Sequence, residues 1–208
     1  MIKKIIFDID DTLIMFPKKE YMDGCNKLIK KYNLNTTAIK LYNSIDKYDS
    51  CGIYKYYNIF DMVSYIEEDL KVKLNQNFID DFFDMYNDLL GYIDLDICDT
   101  LNYLKSKYTL VIYSNWFTSS QIARLRKAGI YKYFDYVYCA DKVPKKPNKE
   151  GYLEVMGDFK ASECVFIGDN IKFDIEMPKS LGIDVYYIGS NDCNYPKISK
   201  ISDLRRKL

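Results

Sequence analysis

The chain shows two patterns of hydrophobic and polar positions. From about Leu95 onward, short apolar runs rich in β-branched and aromatic residues alternate with stretches that repeat every three to four residues. Strands that alternate with helices are typical of a parallel sheet wound by right-handed crossovers. This pattern predicts strands at 109–113, 136–139, 164–167 and 185–188, and helices at 97–107, 119–128, 149–156 and 171–181. A separate apolar run at the N-terminus predicts a further strand at 2–7.

The interval between residues 18 and 92 has helical periodicity only. Phe78, Phe82, Met85 and Leu89 recur at three- and four-residue spacing, which places them on one helix face. Helices are predicted at 21–32, 37–48, 57–70 and 77–90, separated by polar or glycine-containing breaks. We expect an α/β fold, with a Rossmann-like parallel sheet in a three-layer α/β/α core and a helical insertion after the first strand. Residues 200–207 are predicted to form a solvated terminal helix.

Polar residues follow the predicted strands. Asp8 and Asp10 come after the first strand, Ser114-Asn115 after the second and Gly168-Asp169 after the fourth. The loop after the third strand carries several lysines, including Lys146. Ligands of open parallel sheets bind at the carboxyl ends of the strands, so these side chains are candidates for one site.

Asp8 and Asp10 pose an electrostatic problem. Strand alternation would put both carboxylates on one side of the chain, where they repel each other unless a cation or a proton lies between them. The structural alternative is a solvated loop, in which aspartate is common.

Composition narrows the chemistry. The 208 residues include no histidine, which excludes Ser-His and Cys-His catalysis and zinc sites that need imidazole. Thirty basic and thirty acidic residues balance, which argues against binding a nucleic-acid polymer. No stretch has the length of an apolar membrane span and the N-terminus lacks a signal-peptide pattern, so we expect a cytoplasmic protein without membrane contact.

The remaining donors suit a hard metal ion and a phosphate group. Carboxylates from Asp8 and Asp169, with a backbone carbonyl and water, would suit Mg²⁺, which prefers oxygen ligands. Ser114 and backbone N–H groups could hold phosphate oxygens, and Lys146 could neutralise them. A carboxylate is then the natural nucleophile.

Four segments carry a family resemblance. In chain order, FDIDDT, VIYSN, KPNKEGY and IGDNIKFD resemble the four motifs of the haloacid dehalogenase-like (HAD) superfamily of Mg²⁺-dependent phosphohydrolases. The resemblance implies that Asp8 is the nucleophile and that Asp10 protonates the leaving group and later activates water. It also implies two sets of binding residues. The phosphate-binding set is Thr12, Ser114, Asn115 and Lys146, and the metal set is Asp8, Asp10, Asp169 and Asp174.

The resemblance also assigns the domains. Residues 1–15 and 93–208 would form the HAD-like core, and residues 16–92 would form the helical cap. The acid at Asp10 implies phosphate-ester rather than halide chemistry, since the dehalogenating members are similar but have a non-acidic residue there. We therefore expect a phosphatase acting on a small phosphorylated metabolite through an aspartyl-phosphate.

Two other functions remain open. A sugar phosphomutase of the same superfamily would need cap residues that bind a second phosphate. The predicted cap contains no arginine, because the first arginine in the chain is Arg124, but lysines could take that role. A non-catalytic binding protein would be expected to lose some of the motif residues, and all are present.

Within the predicted cap, the turn Asp49 to Gly52 is either a specificity loop or an ordinary interhelical turn. Gly52 could let the backbone approach the site. Trp116 is expected to be a packing anchor, with substrate stacking as the alternative.

Overall fold

The computed structural model describes residues 1–191 and 193–208. Over these residues the core is a six-stranded sheet in the order β3-β2-β1-β4-β5-β6, and every neighbouring pair is parallel. The strands are β1 (Lys4–Phe7), β2 (Thr109–Ser114), β3 (Tyr136–Cys139), β4 (Cys164–Gly168), β5 (Asp184–Ile188) and β6 (Lys197–Ile198). The predicted parallel sheet is confirmed, and β1 lies at its centre.

Alternate residues of β1 build the two halves of the core. Ile5 and Phe7 face one side of the sheet and pack in a cluster with Leu101, whereas Ile6 faces the other side and packs in a cluster with Tyr152. All of these side chains are buried because helices cover both faces, as expected for a parallel sheet. The arrangement is the predicted three-layer α/β/α fold.

The helices of the core follow the predicted intervals closely. One face carries α5 (Ile97–Lys105), α6 (Thr118–Lys127) and the C-terminal α9 (Leu204–Lys207). The other carries α7 (Lys149–Met156) and a π-helical segment (Ile171–Glu176) that continues into α8 (Met177–Ser180).

The helical insertion is also present. It consists of α1 (Lys18–Lys31), α2 (Ala38–Ser50), α3 (Ile59–Leu70) and α4 (Gln76–Asp88). Polar residues at or beside the predicted breaks provide N-caps: the side chains of Thr37, Asn58 and Asn75 accept hydrogen bonds from backbone N–H groups in the first turns, although Thr37 and Asn58 were predicted to lie within the helices. The apolar faces of the four helices form their own cluster, which also takes in Trp116 of the core.

The two connections between insertion and core lie side by side. The Met15 N–H donates to the Tyr92 carbonyl at 2.8 Å, and the two residues form an antiparallel bridge. Gly91 makes this crossing possible: a Cβ on it would lie 2.3 Å from Cγ2 of Ile14 and 2.4 Å from the Met15 carbonyl oxygen.

Three predictions about local structure were wrong. The 171–181 interval is not one α-helix but a π-helical segment followed by α8, which begins at Met177 and carries Pro178, a residue without an N–H to donate, in its first turn. The terminal helix is not simply solvated, because Ile201 and Leu204 are buried against the core. The edge strand β6 was missed, since two residues carry no periodicity that a sequence pattern could reveal.

Across the described residues, no helix has the length and apolar character needed to cross a membrane.

The crossing at Gly91 predicts a stability effect. Gly91→Ala should lower the free energy of unfolding by about 1–3 kcal/mol, because the added methyl overlaps a backbone carbonyl and a packed side chain. Gly52→Ala is the matched control: its Cβ would meet no atom within 4 Å, so a change within about 0.5 kcal/mol is expected. Urea unfolding of both variants measures the difference, and equal stabilities would show that the connections move apart freely.

Candidate active site

The candidate site lies where the strand order reverses. From β1 the chain builds outward through β2 and β3, then returns to the other side of β1 with β4. Loops diverge at this point and leave a crevice at the carboxyl ends of the strands. Asp8, Ser114 and Asp169 stand at the ends of β1, β2 and β4 and therefore meet there.

Three carboxylates converge in the crevice. One oxygen each from Asp8, Asp169 and Asp174 lies within 4.8 Å of the other two. Gly168 permits this approach, because a Cβ at that position would lie 2.4 Å from Oδ2 of Asp174. The Asp174 carboxylate is further fixed by the backbone N–H of Asn170, which donates to Oδ2 at 3.1 Å.

Lys146 balances part of this charge. Its buried Nζ donates to Oδ1 of Asp8 and to Oδ1 of Asp174, both at 2.7 Å. Burial works to lower the pKa of Lys146, but the charges of Asp174 and Asp8 outweigh it and raise that pKa. Lys146 therefore remains a cation and holds the Asp8 carboxylate in place.

One lysine does not neutralise three carboxylates. Burial raises the pKa of Asp8 well above its usual value; Lys146 opposes the shift, and the charges of Asp174, Asp169 and Asp10 add to it. Burial and the Asp174 charge raise the pKa of Asp169 to about 7. Buried oxygen donors that resist ionisation in this way fit a hard divalent cation, which would stabilise their charged forms.

The Asp10 carboxylate lies outside this group of three. Its Oδ1 forms an ion pair with Nη2 of Arg124 at 2.6 Å, and its Oδ2 accepts from Nε2 of Gln121 at 3.2 Å. A contact between Asp10 and a metal would therefore have to come from the backbone rather than from the side chain as it is placed here. The orientation suits contact with a substrate, because the side chain is 31% exposed.

Sequence reasoning missed Arg124 and Gln121. The Arg124 side chain is only 1% exposed, and its guanidinium also contacts the rings of Phe16 and Tyr86. The available signal was their spacing: two long polar side chains three residues apart lie on one face of the helix that follows Ser114-Asn115.

The loop after β1 turns sharply around the Ile9 carbonyl, which accepts from the N–H groups of Leu13 and Ile14. Asp11 occupies the left-handed region at φ 53°, a conformation that aspartate tolerates better than most residues, and its Oδ1 accepts from the Phe16 N–H at 2.9 Å. An aspartate can thus stand where the resembling family often has glycine.

The predicted phosphate-binding residues do not all have the same surroundings. Ser114 is buried and its Oγ accepts from Gln121 at 2.9 Å. The Thr12 hydroxyl is buried and has no hydrogen-bond partner among the described residues. The Ser114 hydroxyl lies at the end of β2, and the Thr12 hydroxyl lies in the turn after β1.

Asn115 has a bridging position instead. Its Nδ2 donates to Oδ1 of Asp49 at 3.0 Å and to the Lys146 carbonyl at 2.9 Å, and its Oδ1 accepts from the Lys146 N–H at 2.7 Å. The amide thus joins the end of β2, the Lys146 loop and the helical insertion, and its side chain has few donors left for a phosphate group.

The insertion also contacts the loop before α7 through Lys145. The buried Nζ of Lys145 donates to the carbonyl of Tyr48 at 3.0 Å and to that of Asp49, which are the last carbonyls of α2. A cation at a helix C-terminus is favourable because the carbonyl dipoles converge there.

These contacts revise the predicted turn at 49–52. Asp49 and Ser50 belong to α2, and Gly52 is exposed with open space at its Cβ position, so it provides no close backbone approach to the site. Asp49 is the residue that faces the core, where Tyr57 and Asn115 both donate to its carboxylate.

A cleft of about 200 Å³ opens between insertion and core beside Asp10. The expected packing role of Trp116 is seen, because its ring stacks on Tyr86 at 4.7 Å between centroids; it also lines the cleft. The walls combine aromatic and acidic side chains, and the full lining is Asp10, Asp11, Phe16, Tyr21, Tyr42, Ile45, Asp46, Asp49, Tyr57, Tyr86, Asn115 and Trp116.

Comparison with known proteins establishes the family. The model of the haloacid dehalogenase-like hydrolases matches residues 2–182. The chain belongs to this family. Its resemblance to the four HAD motifs, noted from the sequence, is thereby confirmed.

Individual relatives are distant. The chain is 26% identical to pyrimidine 5'-nucleotidase YjjG of Escherichia coli, over 93% of this chain and 88% of that protein. It is 28% identical to a glyceraldehyde 3-phosphate phosphatase of Methanothermobacter thermautotrophicus, over 91% and 87% of the two chains.

Solved structures share the fold at lower identity. A magnesium-bound HAD-hydrolase, YfnB of Bacillus subtilis, superposes with a TM-score of 0.78 at 20% identity, covering 99% of this chain and 98% of that one. The L-2-haloacid dehalogenase of Xanthobacter autotrophicus gives 0.73 at 20% identity, with the same coverage. A dehalogenase thus shares this architecture with a chain whose relatives include a nucleotidase and a phosphatase, so the fold alone does not distinguish their reactions.

The carboxylate cluster predicts a stability change. The pKa of Asp169 is raised in the folded protein, so this carboxyl binds more protons in the folded than in the unfolded state. Its contribution to the free energy of unfolding is therefore fully present below the unfolded pKa of 3.8 and is lost as pH rises through about 7. Asp169→Asn should therefore stabilise the chelator-treated protein at pH 8 by about 1–2 kcal/mol, allowing for solvent screening, and by less at pH 5.

Denaturant unfolding at the two pH values, with EDTA or with excess Mg²⁺, tests this expectation. Mg²⁺ should stabilise the native protein more than the variant. The exposed Asp84→Asn serves as control, and a pH-independent effect of Asp169→Asn would contradict the electrostatic explanation.

Proposed function

We propose that the chain is a Mg²⁺-dependent phosphatase that hydrolyses a small phosphorylated metabolite through an aspartyl-phosphate. The observation that carries the proposal is the separation of two acids. Asp8 lies against Lys146 among the converging carboxylates, whereas Asp10 is held apart by Arg124 at the edge of the cleft.

This separation gives each acid one task. An oxygen of Asp8 attacks phosphorus, and a P–O bond forms as the bond to the leaving oxygen breaks. A proton from Asp10 passes to that oxygen, so the alcohol departs uncharged. Asp10 then removes a proton from water as the water attacks the aspartyl-phosphate, which releases phosphate and restores both carboxyl groups.

The surrounding residues hold the phosphoryl group and the nucleophile. Lys146 orients Asp8 and offers positive charge to the phosphoryl oxygens, while Ser114 at the end of β2 and Thr12 in the turn after β1 offer hydroxyls. Asn115 positions Lys146 through its backbone. A Mg²⁺ held by Asp8, Asp169 and Asp174, with a backbone contribution near Asp10, would supply positive charge that offsets charge on the phosphoryl oxygens.

Asp10 favours phosphate esters over haloacids. Carbon–halogen cleavage releases an anion that needs no proton, whereas an alkoxide leaving group does. Two relatives are named for phosphate substrates, a pyrimidine nucleotide and glyceraldehyde 3-phosphate, which supports this choice.

We further propose that residues 16–92 act as a cap over the core formed by 1–15 and 93–208. A cap excludes water and favours small substrates over polymers. The six free cysteines agree with a reducing compartment such as the cytoplasm. The phosphomutase alternative gains no support from the cleft, since neither lysine nor arginine is among its lining residues to bind a second phosphate.

Asp8→Asn should abolish the activity. The amide cannot act as the nucleophile, so we expect turnover of 4-nitrophenyl phosphate with Mg²⁺ to fall by at least about 10³-fold. Release of inorganic phosphate and nitrophenolate measures both products, and Asp99→Asn, an exposed residue on α5, controls for general effects on the core.

A panel of nucleotides, sugar phosphates and phosphoglycolate then defines the substrate, with 2-chloropropionate as a dehalogenation control. Phosphate appearing as a new ester on an added sugar would favour the mutase. Unchanged turnover in Asp8→Asn would contradict the nucleophile assignment.

A further inference from the structure

The cleft beside Asp10 carries an unbalanced charge. Four carboxylates line it, from Asp10, Asp11, Asp46 and Asp49, and no lysine or arginine is among the lining residues. Asp10 is paired with Arg124 beneath the cleft, but within 1–191 and 193–208 the other three have no ion-pair partner within 4.0 Å.

The cationic side chains nearby do not cancel this charge. Lys145 is directed at the carbonyls that end α2 rather than at the cleft, and the Nζ of Lys18 lies over the Tyr42 ring at 4.7 Å from its centroid without lining the cleft. Tyr57 and Asn115 donate hydrogen bonds to Asp49, and the Phe16 N–H donates to Asp11, which leaves Asp46 as the less constrained carboxylate.

Aromatic rings form the rest of the wall. Tyr21, Tyr42, Tyr57, Tyr86 and Trp116 line the same space. Ring faces attract cations because their quadrupoles are negative at the centre, and carboxylates attract the same ligands by charge. Together, the rings and carboxylates disfavour binding of an anionic group in the cleft and favour binding of a positively charged group.

The position of the cleft relates it to the reaction. Asp10, which would protonate the leaving oxygen, forms part of its wall, so the space beyond Asp10 is where the alcohol portion of a substrate would lie. The phosphoryl end would meet Lys146 and the carboxylate cluster on the other side.

From this polarity we infer that the cleft binds organic cations and that the preferred substrates are phosphate esters of positively charged alcohols, such as those bearing an ammonium group. The part concerning substrates rests on the proposed phosphatase activity; the binding of a cation does not. The inference separates this chain from enzymes whose leaving group carries a second anion.

Binding can be measured without catalysis because Trp116 is the only tryptophan in the chain and lines the cleft. Choline should change its fluorescence saturably at millimolar concentrations. The neutral isostere 3,3-dimethylbutan-1-ol, which has the same shape but no charge, should bind at least about tenfold more weakly.

A charge reversal tests the assignment to the cleft. Asp46→Lys should weaken choline binding by about tenfold, because it replaces an attractive charge by a repulsive one near the ligand. Asp84→Lys is the matched control: Asp84 is exposed on α4 two residues from Tyr86, hence on a different face of the helix, and choline binding should be unchanged. Circular dichroism confirms that both variants fold.

Kinetics provide the second readout. The value of kcat/KM should be about tenfold lower for propyl phosphate, whose alcohol is neutral, than for phosphocholine and phosphoethanolamine. It should be lower still for phosphoglycolate, whose alcohol portion is anionic. Asp46→Lys should reduce the ratio of the cationic to the anionic substrate, and Asp84→Lys should leave it unchanged.

Equal binding of choline and its neutral isostere would overturn the inference, as would a preference for phosphoglycolate. A protein that binds choline as expected but hydrolyses no ester would contradict the proposed function and leave the cation site standing. A protein that hydrolyses cationic, neutral and anionic esters equally well would support the proposed function and contradict the inferred preference for cationic substrates.

Discussion

The structure depends on burying three carboxylates at the carboxyl end of the central strand. Asp8, Asp169 and Asp174 repel one another, and Lys146 contacts only two of them. Several features serve this arrangement, including the missing side chain at Gly168 and the hydrogen bonds that fix Asp174. In the proposed function, the remaining repulsion is the reason that a divalent cation would bind among these carboxylates.

Asn115, Lys145 and Lys146 connect this charge cluster to the helical insertion. Lys146 reaches inward to Asp8, while the adjacent Lys145 reaches outward to the end of α2. Asn115 contacts both the Lys146 backbone and Asp49 of the insertion. Displacement of the insertion would therefore disturb the residues that hold Asp8, the proposed nucleophile.

Arg124 has a comparable role for the second acid. It is buried between the core and the rings of Phe16 and Tyr86, and its ion pair with Asp10 holds that carboxylate away from the group of three carboxylates and beside the cleft. The fold is shared with a dehalogenase at 20% identity, while the relatives by sequence include a phosphatase at 28% identity. The features of this chain that bear on its reaction are local: an acid at position 10, and an acidic, aromatic space beside it.

The local patterns of this sequence determined a great deal. Alternation and helical spacing predicted five of the strands and the four helices of the insertion, because burial on one face imposes a period that a sequence displays directly. The rule that ligands bind at the carboxyl ends of parallel strands predicted from the sequence that Asp8, Ser114, Lys146 and Asp169 belong to one candidate site. The motifs supplied the family.

Only the tertiary structure decided which side chains of the site contact one another. Asn115 acts as a bridge, Asp10 pairs with Arg124, and Asp49 rather than Gly52 faces the core. These facts depend on contacts between segments 66 to 114 residues apart, and periodicity carries no information about which distant side chains meet. The charge of the cleft is likewise a property of the assembled walls, since its acids and rings come from α1, α2, α4, the connection between α2 and α3, and the loops after β1 and β2.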